Sequence, residues 1–365
     1  MNIKKNLTLI YLIVILISYL VIKKALTELQ EKNAKQSKEI LELQKENIKQ
    51  RIDEKTEEFN KIAKELHALR MLGFHAEYED QLPLPLSIAG AVKFKHQAQF
   101  NPLKFLSEIA KGLNIYEHTK VRELAPNLAV TEHGKITAKN IIVTTHFPFL
   151  NKHGSYFLKM YQHRSYVIAY KNAPNVDGMY VDESLKGLSF RNYKNMLLLG
   201  GGDHRTGKHG GNWQELSTFA GMHYPNAKEV YRWATQDCMT LDEVPYIGQY
   251  SKNTPFLYVA TGFNKWGMSG SMAAAMILRD QVLGRENHYG DLFDPARSML
   301  HPQLAVNLWE SAGNLLTLRQ PRCPHLGCAL RWNSQEHSWD CPCHGSRFSE
   351  RGKVLDNPAN GNMNI

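Results

Sequence analysis

Cys323-Pro324-His325-Leu326-Gly327-Cys328 and Cys341-Pro342-Cys343-His344-Gly345-Ser346 together hold four of the chain's five cysteines. Residues 326–340, fifteen in all, separate His325 from Cys341. Thiolate and imidazole bind soft or borderline metals, and two short Cys/His loops facing each other close one site. A Cys₂His₂ zinc clasp would need Cys323, His325, Cys341 and His344 and nothing more. Each loop carries one further cysteine, Cys328 in the first and Cys343 in the second.

This pairing of loops resembles the Rieske [2Fe-2S] domain. The resemblance implies that Cys323 and Cys341 hold one iron and His325 and His344 the other. It implies also that Cys328 and Cys343 bridge the loops by a disulfide. Two neutral imidazoles in place of two thiolates leave less negative charge on a cluster and make its reduction easier. Ser346 matches the serine that donates to a bridging sulfide. Phe348 stands where high-potential members carry a tyrosine, and a phenyl ring has no donor to give to sulfur, so an intermediate potential is expected.

Around this stretch the chain is ordinary globular material, 365 residues with 22% charged and 43% hydrophobic positions, enough for two domains. The net charge of +9 is spread widely, with many lysines in the first seventy residues. Nucleic-acid binding would call for a compact basic patch with aromatics, and no nucleic-acid partner is expected. Cys238 stands apart from the two loops and reads as a buried small hydrophobe.

Leu7 to Ile22 is an uncharged run of sixteen residues between Lys4-Lys5 and Lys23-Lys24. It predicts a single membrane anchor over 1–24, with the lysines reaching for the interface. The lysine excess on its carboxyl side predicts a cytoplasmic body, the alternative being a wholly cytoplasmic chain. From Ala25 to Arg70 there is no proline or glycine. The seam Ile52, Phe59 and Leu66, with Ile62 and Leu69, predicts a long charged helix over 25–70, compatible with a coiled-coil homodimer.

Beyond residue 70 strand and helix patterns alternate, as in an α/β or α+β domain with a sizeable mixed sheet over 71–295. The run Gly200 to Gly211 contains a phosphate-loop lookalike, Gly202 to Gly207-Lys208. His209 replaces the hydroxyl that would hold Mg²⁺, so nucleoside triphosphate binding is rejected and a mobile or substrate-facing turn is expected. A second stretch, Phe256 to Ser271, reads as a buried strand, a glycine turn and an alanine-rich helix. Its helix N-terminus offers unpaired N–H groups.

That second stretch, with Tyr231-Arg232-Trp233 and Leu241 to Gly248, resembles the flavin-binding end of the FAD-dependent amino-acid, sarcosine and glycine oxidases. The resemblance implies FAD, an amine-like substrate, and Gly262, Phe263, Trp266 and Gly267 lining the flavin. Val121 matches the position whose backbone meets the adenine. No G-x-G-x-x-G turn occurs in the sequence, although this family holds the FAD pyrophosphate on one. The Rieske part is expected over 296–365 as a small all-β domain, shortened before its first loop.

The reading is therefore an oxidoreductase that passes electrons from an amine or amino-acid-like substrate through FAD to a Rieske cluster, and on to a redox protein or quinone. The alternative is a membrane-tethered electron carrier with a flavin-free oxidase-like domain. A ring-hydroxylating oxygenase is not expected, because about twenty residues follow His344, too few to build its mononuclear iron site.

Overall fold

A computed structural model describes residues 55–364, except 184–186 and 211, and scattered helical positions between 32 and 46. The described chain falls into two compact units, divided between Lys111 and Gly112. The first carries a helix over 55–71 and a hairpin, Glu77–Glu79 with Ala91–Lys93. Of the seam, Leu66 is buried and Phe59 sets its ring edge-on to Tyr78 of the hairpin, so the apolar stripe meets its own chain. No coiled coil is seen among the described residues.

The expected anchor does not stand. No helix among the described residues is long and apolar enough to cross a membrane, and residues 1–24 lie outside them. The membrane-anchored placement falls with it.

The second unit is built on a five-stranded antiparallel sheet in the order Lys228–Thr240, Met160–Lys171, Met196–Arg205, Ser189–Tyr193 and Met179–Val181. Its second strand, Met160–Lys171, alternates fully and partly buried positions: Met160, Gln162, Arg164, Tyr166 and Ile168 point to one side. Two of these five are polar, which a strand tolerates only where something opposite pairs with them. The helix Asn212–His223 covers part of the sheet through Leu216 and Ala220.

The run Gly200 to Gly211 is no free turn. Its first six residues complete the strand Met196–Arg205, which is irregular between Gly201 and His204. Gly200 belongs there because a Cβ would collide with the Ser189 hydroxyl.

Beside this sheet lie two smaller ones. In the first, Leu257–Thr261 pairs antiparallel with Tyr246–Gln249 and parallel with Ile141–Val143. The helix Gly267–Val282 buries Ala274, Ile277 and Leu278 against Ile247 and Ala260, where the alanines allow close approach. The second is an antiparallel meander, Val121–Ala125, Leu128–Thr131 and Lys135–Thr137.

A helix, Pro302–Leu316, then leads into a four-stranded antiparallel meander: Arg331–Asn333, Ser338–Asp340, Arg347–Ser349 and Val354–Asp356. This is the small all-β part. Its core is Cys323, Cys328, Leu330, Cys341, Cys343, Phe348, Ala359 and Met363.

Candidate functional site

The two Cys/His loops adopt the same turn. In the first, Cys323 N–H donates to the Cys328 carbonyl and Gly327 N–H to the Cys323 carbonyl, each at 2.9 Å. In the second, Cys341 N–H donates to the Ser346 carbonyl and Gly345 N–H to the Cys341 carbonyl, again at 2.9 Å. Both turns need a left-handed residue at the fifth position, supplied by Gly327 (φ 78°) and Gly345 (φ 81°). A disulfide between Cys328 and Cys343 joins the loops, with Cα atoms 6.7 Å apart.

The turns bring the remaining four side chains together in pairs. Cys323 and Cys341 share a hydrogen bond. The imidazoles of His325 and His344 lie 4.9 Å apart, nearly perpendicular. Cys341 Sγ also lies within 4.8 Å of the sulfurs of Cys328 and Cys343. Those two are spent in the disulfide, so that trio offers one thiol and no metal site.

Charge states suit ligation. Burial pulls His325 down to about 4 and His344 to about 3, so both rings are neutral at pH 7. The hydrogen bond from Cys341, with backbone N–H groups of His325 and Leu326 and the Ser346 hydroxyl, holds the Cys323 thiol below its usual value against the effect of burial. The Nδ1 atoms of His325 and His344 are buried and have no hydrogen-bond partner. Buried polar atoms without partners are costly, and two of them beside two free buried thiols fit a metal cluster. Ser346 Oγ accepts from Ala359 N–H at 2.9 Å, which leaves its own proton to donate.

The second loop is clamped by the five-stranded sheet. Gln162 Nε2 donates to the His344 carbonyl at 2.7 Å, and Gln236 Nε2 to the Gly345 carbonyl at 2.8 Å. Arg205 reaches the carbonyls of Pro342 and Cys343 at 2.9 and 3.0 Å. Further along, Glu336 takes hydrogen bonds from Arg164, Tyr166 and Arg347, all three largely buried. These residues escaped the sequence reading. The one signal for Gln162 and Arg164 was the polar run Gln162-His163-Arg164-Ser165 inside a strand; Arg205, Gln236 and Glu336 gave none.

Of the positions expected around a flavin, one turn brings four together. Gly262 follows the strand Leu257–Thr261 with φ 72°, where a Cβ would collide with the Thr240 methyl. Phe263 packs toward Gly270, Trp266 is 67% exposed, and Gly267 opens the helix onto free space. Val121 lies in the separate meander, where it pairs with Thr131. The first turn of the helix Gly267–Val282 thus opens beside Phe263 and Trp266 with no neighbour over Gly267. No G-x-G-x-x-G turn for the pyrophosphate lies among the described residues.

The family model "FAD dependent oxidoreductase" matches residues 26–281, and "Rieske [2Fe-2S] domain" matches residues 294–365. The putative Rieske 2Fe-2S iron-sulfur protein YhfW of Bacillus subtilis is 33% identical over 368 residues, covering 82% of this chain and 70% of that protein. The cytochrome b6-f complex iron-sulfur subunit of Nostoc punctiforme is 54% identical over 37 residues, 10% of this chain. Glycine oxidase from Geobacillus kaustophilus superposes with a TM-score of 0.55 at 18% identity, over 66% of this chain and 71% of that one. The Bacillus cereus glycine oxidase gives 0.54 at 17% identity, over 67% and 74%. At such identities these two speak for the fold alone.

Proposed function

The chain belongs to the FAD-dependent oxidoreductases and carries a carboxyl-terminal Rieske [2Fe-2S] domain, and from this we propose that it oxidises an amine or amino-acid-like substrate and passes the electrons on singly through its cluster. Cys323 and Cys341 hold one iron of that cluster, His325 and His344 the other, and the Cys328–Cys343 disulfide ties the loops that present them. The observation that carries this reading is the pair of buried, unpartnered Nδ1 atoms on His325 and His344, whose rings lie 4.9 Å apart on the two loops that also carry the free thiols of Cys323 and Cys341.

A bound flavin supplies two-electron oxidation and a [2Fe-2S] cluster one-electron transfer, which is a physical reason to join the two modules. The chain's own residues do the rest of the work at the cluster. Both imidazoles are kept neutral by burial, so their lone pairs are free. Gln162, Gln236 and Arg205 fix the second loop's carbonyls and so its ligands. Fully buried Phe147 lies edge-on to both histidines, at 6.4 and 6.2 Å between ring centroids, and excludes water from them. The turn Gly262–Gly267, with Phe263 and Trp266, lines the flavin end, and Val121 is assigned to its adenine end. A redox protein or quinone takes the electrons onward.

Rapid mixing of the purified chain with candidate amines tests this. Bleaching of flavin absorbance followed by that of the cluster is expected for a substrate. Cluster absorbance in a chain that holds no flavin after reconstitution with FAD would overturn the oxidase half of the reading.

A further inference from the structure

Each cluster-loop histidine has a second ring nitrogen, and each turns it toward the oxidase part of the chain. His325 Nε2 lies 2.8 Å from Asn151 Oδ1. His344 bonds the Phe157 carbonyl, and since its Nδ1 has no partner, the bond is made by Nε2. Asn151 is set firmly. The preceding residue, Leu150, gives its carbonyl to the hydroxyl of Tyr250 at 2.9 Å, and Tyr250 is fully buried in the oxidase core. From the cluster side, Asn357 Nδ2 donates to the Phe147 carbonyl at 3.0 Å, pinning the same segment.

We propose that Asn151 is a positioning residue for the metal centre: its Oδ1 takes the Nε2 proton of His325, fixes the ring's tautomer and orientation, and makes the oxidase part the outer wall of the cluster site. This rests on the ligand assignment proposed above. An acceptor on the far nitrogen of a metal-bound imidazole raises its basicity and orients it. A more basic imidazole donates more strongly to iron and favours the oxidised cluster. The acceptor comes from a part of the chain some 170 residues away, at a sequence separation of 174. The cluster's electronic properties are thus set by the domain it serves, and an isolated Rieske domain would lack this contact.

The test uses the full chain, expressed with ample iron under anaerobic conditions, as wild type, Asn151→Leu and Asn151→Asp. Asn151→Leu keeps the size and removes the acceptor; Asn151→Asp supplies a stronger one. The reduction equilibrium should move in opposite directions, easier for Asn151→Leu and harder for Asn151→Asp, by up to about tenfold each, or about 59 mV for one electron. The ¹⁴N couplings of one histidine in pulsed electron resonance should change while those of the other hold. Asn151→Asp gives the sign even if Asn151→Leu loses its cluster. Unchanged potential and couplings in iron-replete variants would overturn the proposal and leave the ligand assignment intact. A wild type without any Rieske signal would overturn the ligand assignment itself.

Discussion

Glu336 sits between two guanidiniums in a place with almost no water. Its carboxylate accepts from Arg164 Nε at 2.8 Å and Arg347 Nη2 at 2.9 Å, and all three side chains are at most 7% exposed. Burial alone would raise this carboxyl. The hydrogen bond from Arg164 and the charge of Arg347 outweigh burial and hold it below its ordinary value of 4.5. A depressed carboxyl stabilises the fold above its unfolded value and loses that contribution as pH falls through the folded one. This contact's contribution to stability, read as the difference between wild type and Glu336→Gln, should therefore be constant above about pH 5 and decline below 4.5. Glu336→Gln removes the charge at all pH and leaves Arg164 without its anion. It should cost about 3–5 kcal/mol in denaturant unfolding. A cost within 0.5 kcal/mol, about that of an ordinary surface change, would contradict this account of the contact.

At the scale of elements, the two cluster turns make a controlled pair. Gly327 and Gly345 share the same hydrogen bonds and nearly the same φ, but their surroundings differ. A Cβ on Gly327 would meet only Leu315, at 3.9 Å, whereas on Gly345 it would press on Gln162 at 2.6 Å. Alanine at either pays a left-handed backbone cost of about 1–2 kcal/mol. Only Gly345→Ala should also push the loop off the sheet, so its iron content should fall well below that of Gly327→Ala. Equal iron in the two variants would show that the sheet does not hold the second loop. These turns were legible because a metal motif is local: ligands, glycines and spacing all lie within six residues. The glycine turn before Gly267–Val282 was legible for the same reason. What holds the loops was not. Gln162, Arg164, Arg205 and Gln236 find their partners 109 to 182 residues away, and nothing in a strand's own pattern names them. The strand Lys228–Thr240 was missed because it is exposed along much of its length and carries charge in place of an apolar alternation. The glycines at 200–202 read as a turn because their reason for being in a strand, contact with Ser189, Leu188 and Asn212, is tertiary.

At the scale of the molecule, sheet and cluster loops belong to one compact unit, residues 112–365. The one strand Met160–Lys171 lends Met160 to the oxidase core and Gln162 and Arg164 to the cluster side. The segment ending at Phe147 does likewise, packing in that core while touching both histidines. The central claim is that Cys323, His325, Cys341 and His344 hold a two-iron cluster against this sheet. Electron resonance of the dithionite-reduced full chain, with iron, acid-labile sulfide and zinc measured on the same sample, tests it most directly. The account predicts two irons and two sulfides per chain and a rhombic signal of the Rieske type, abolished by His325→Ala or by His344→Ala. Stoichiometric zinc with neither sulfide nor signal, after anaerobic expression with ample iron, would contradict it.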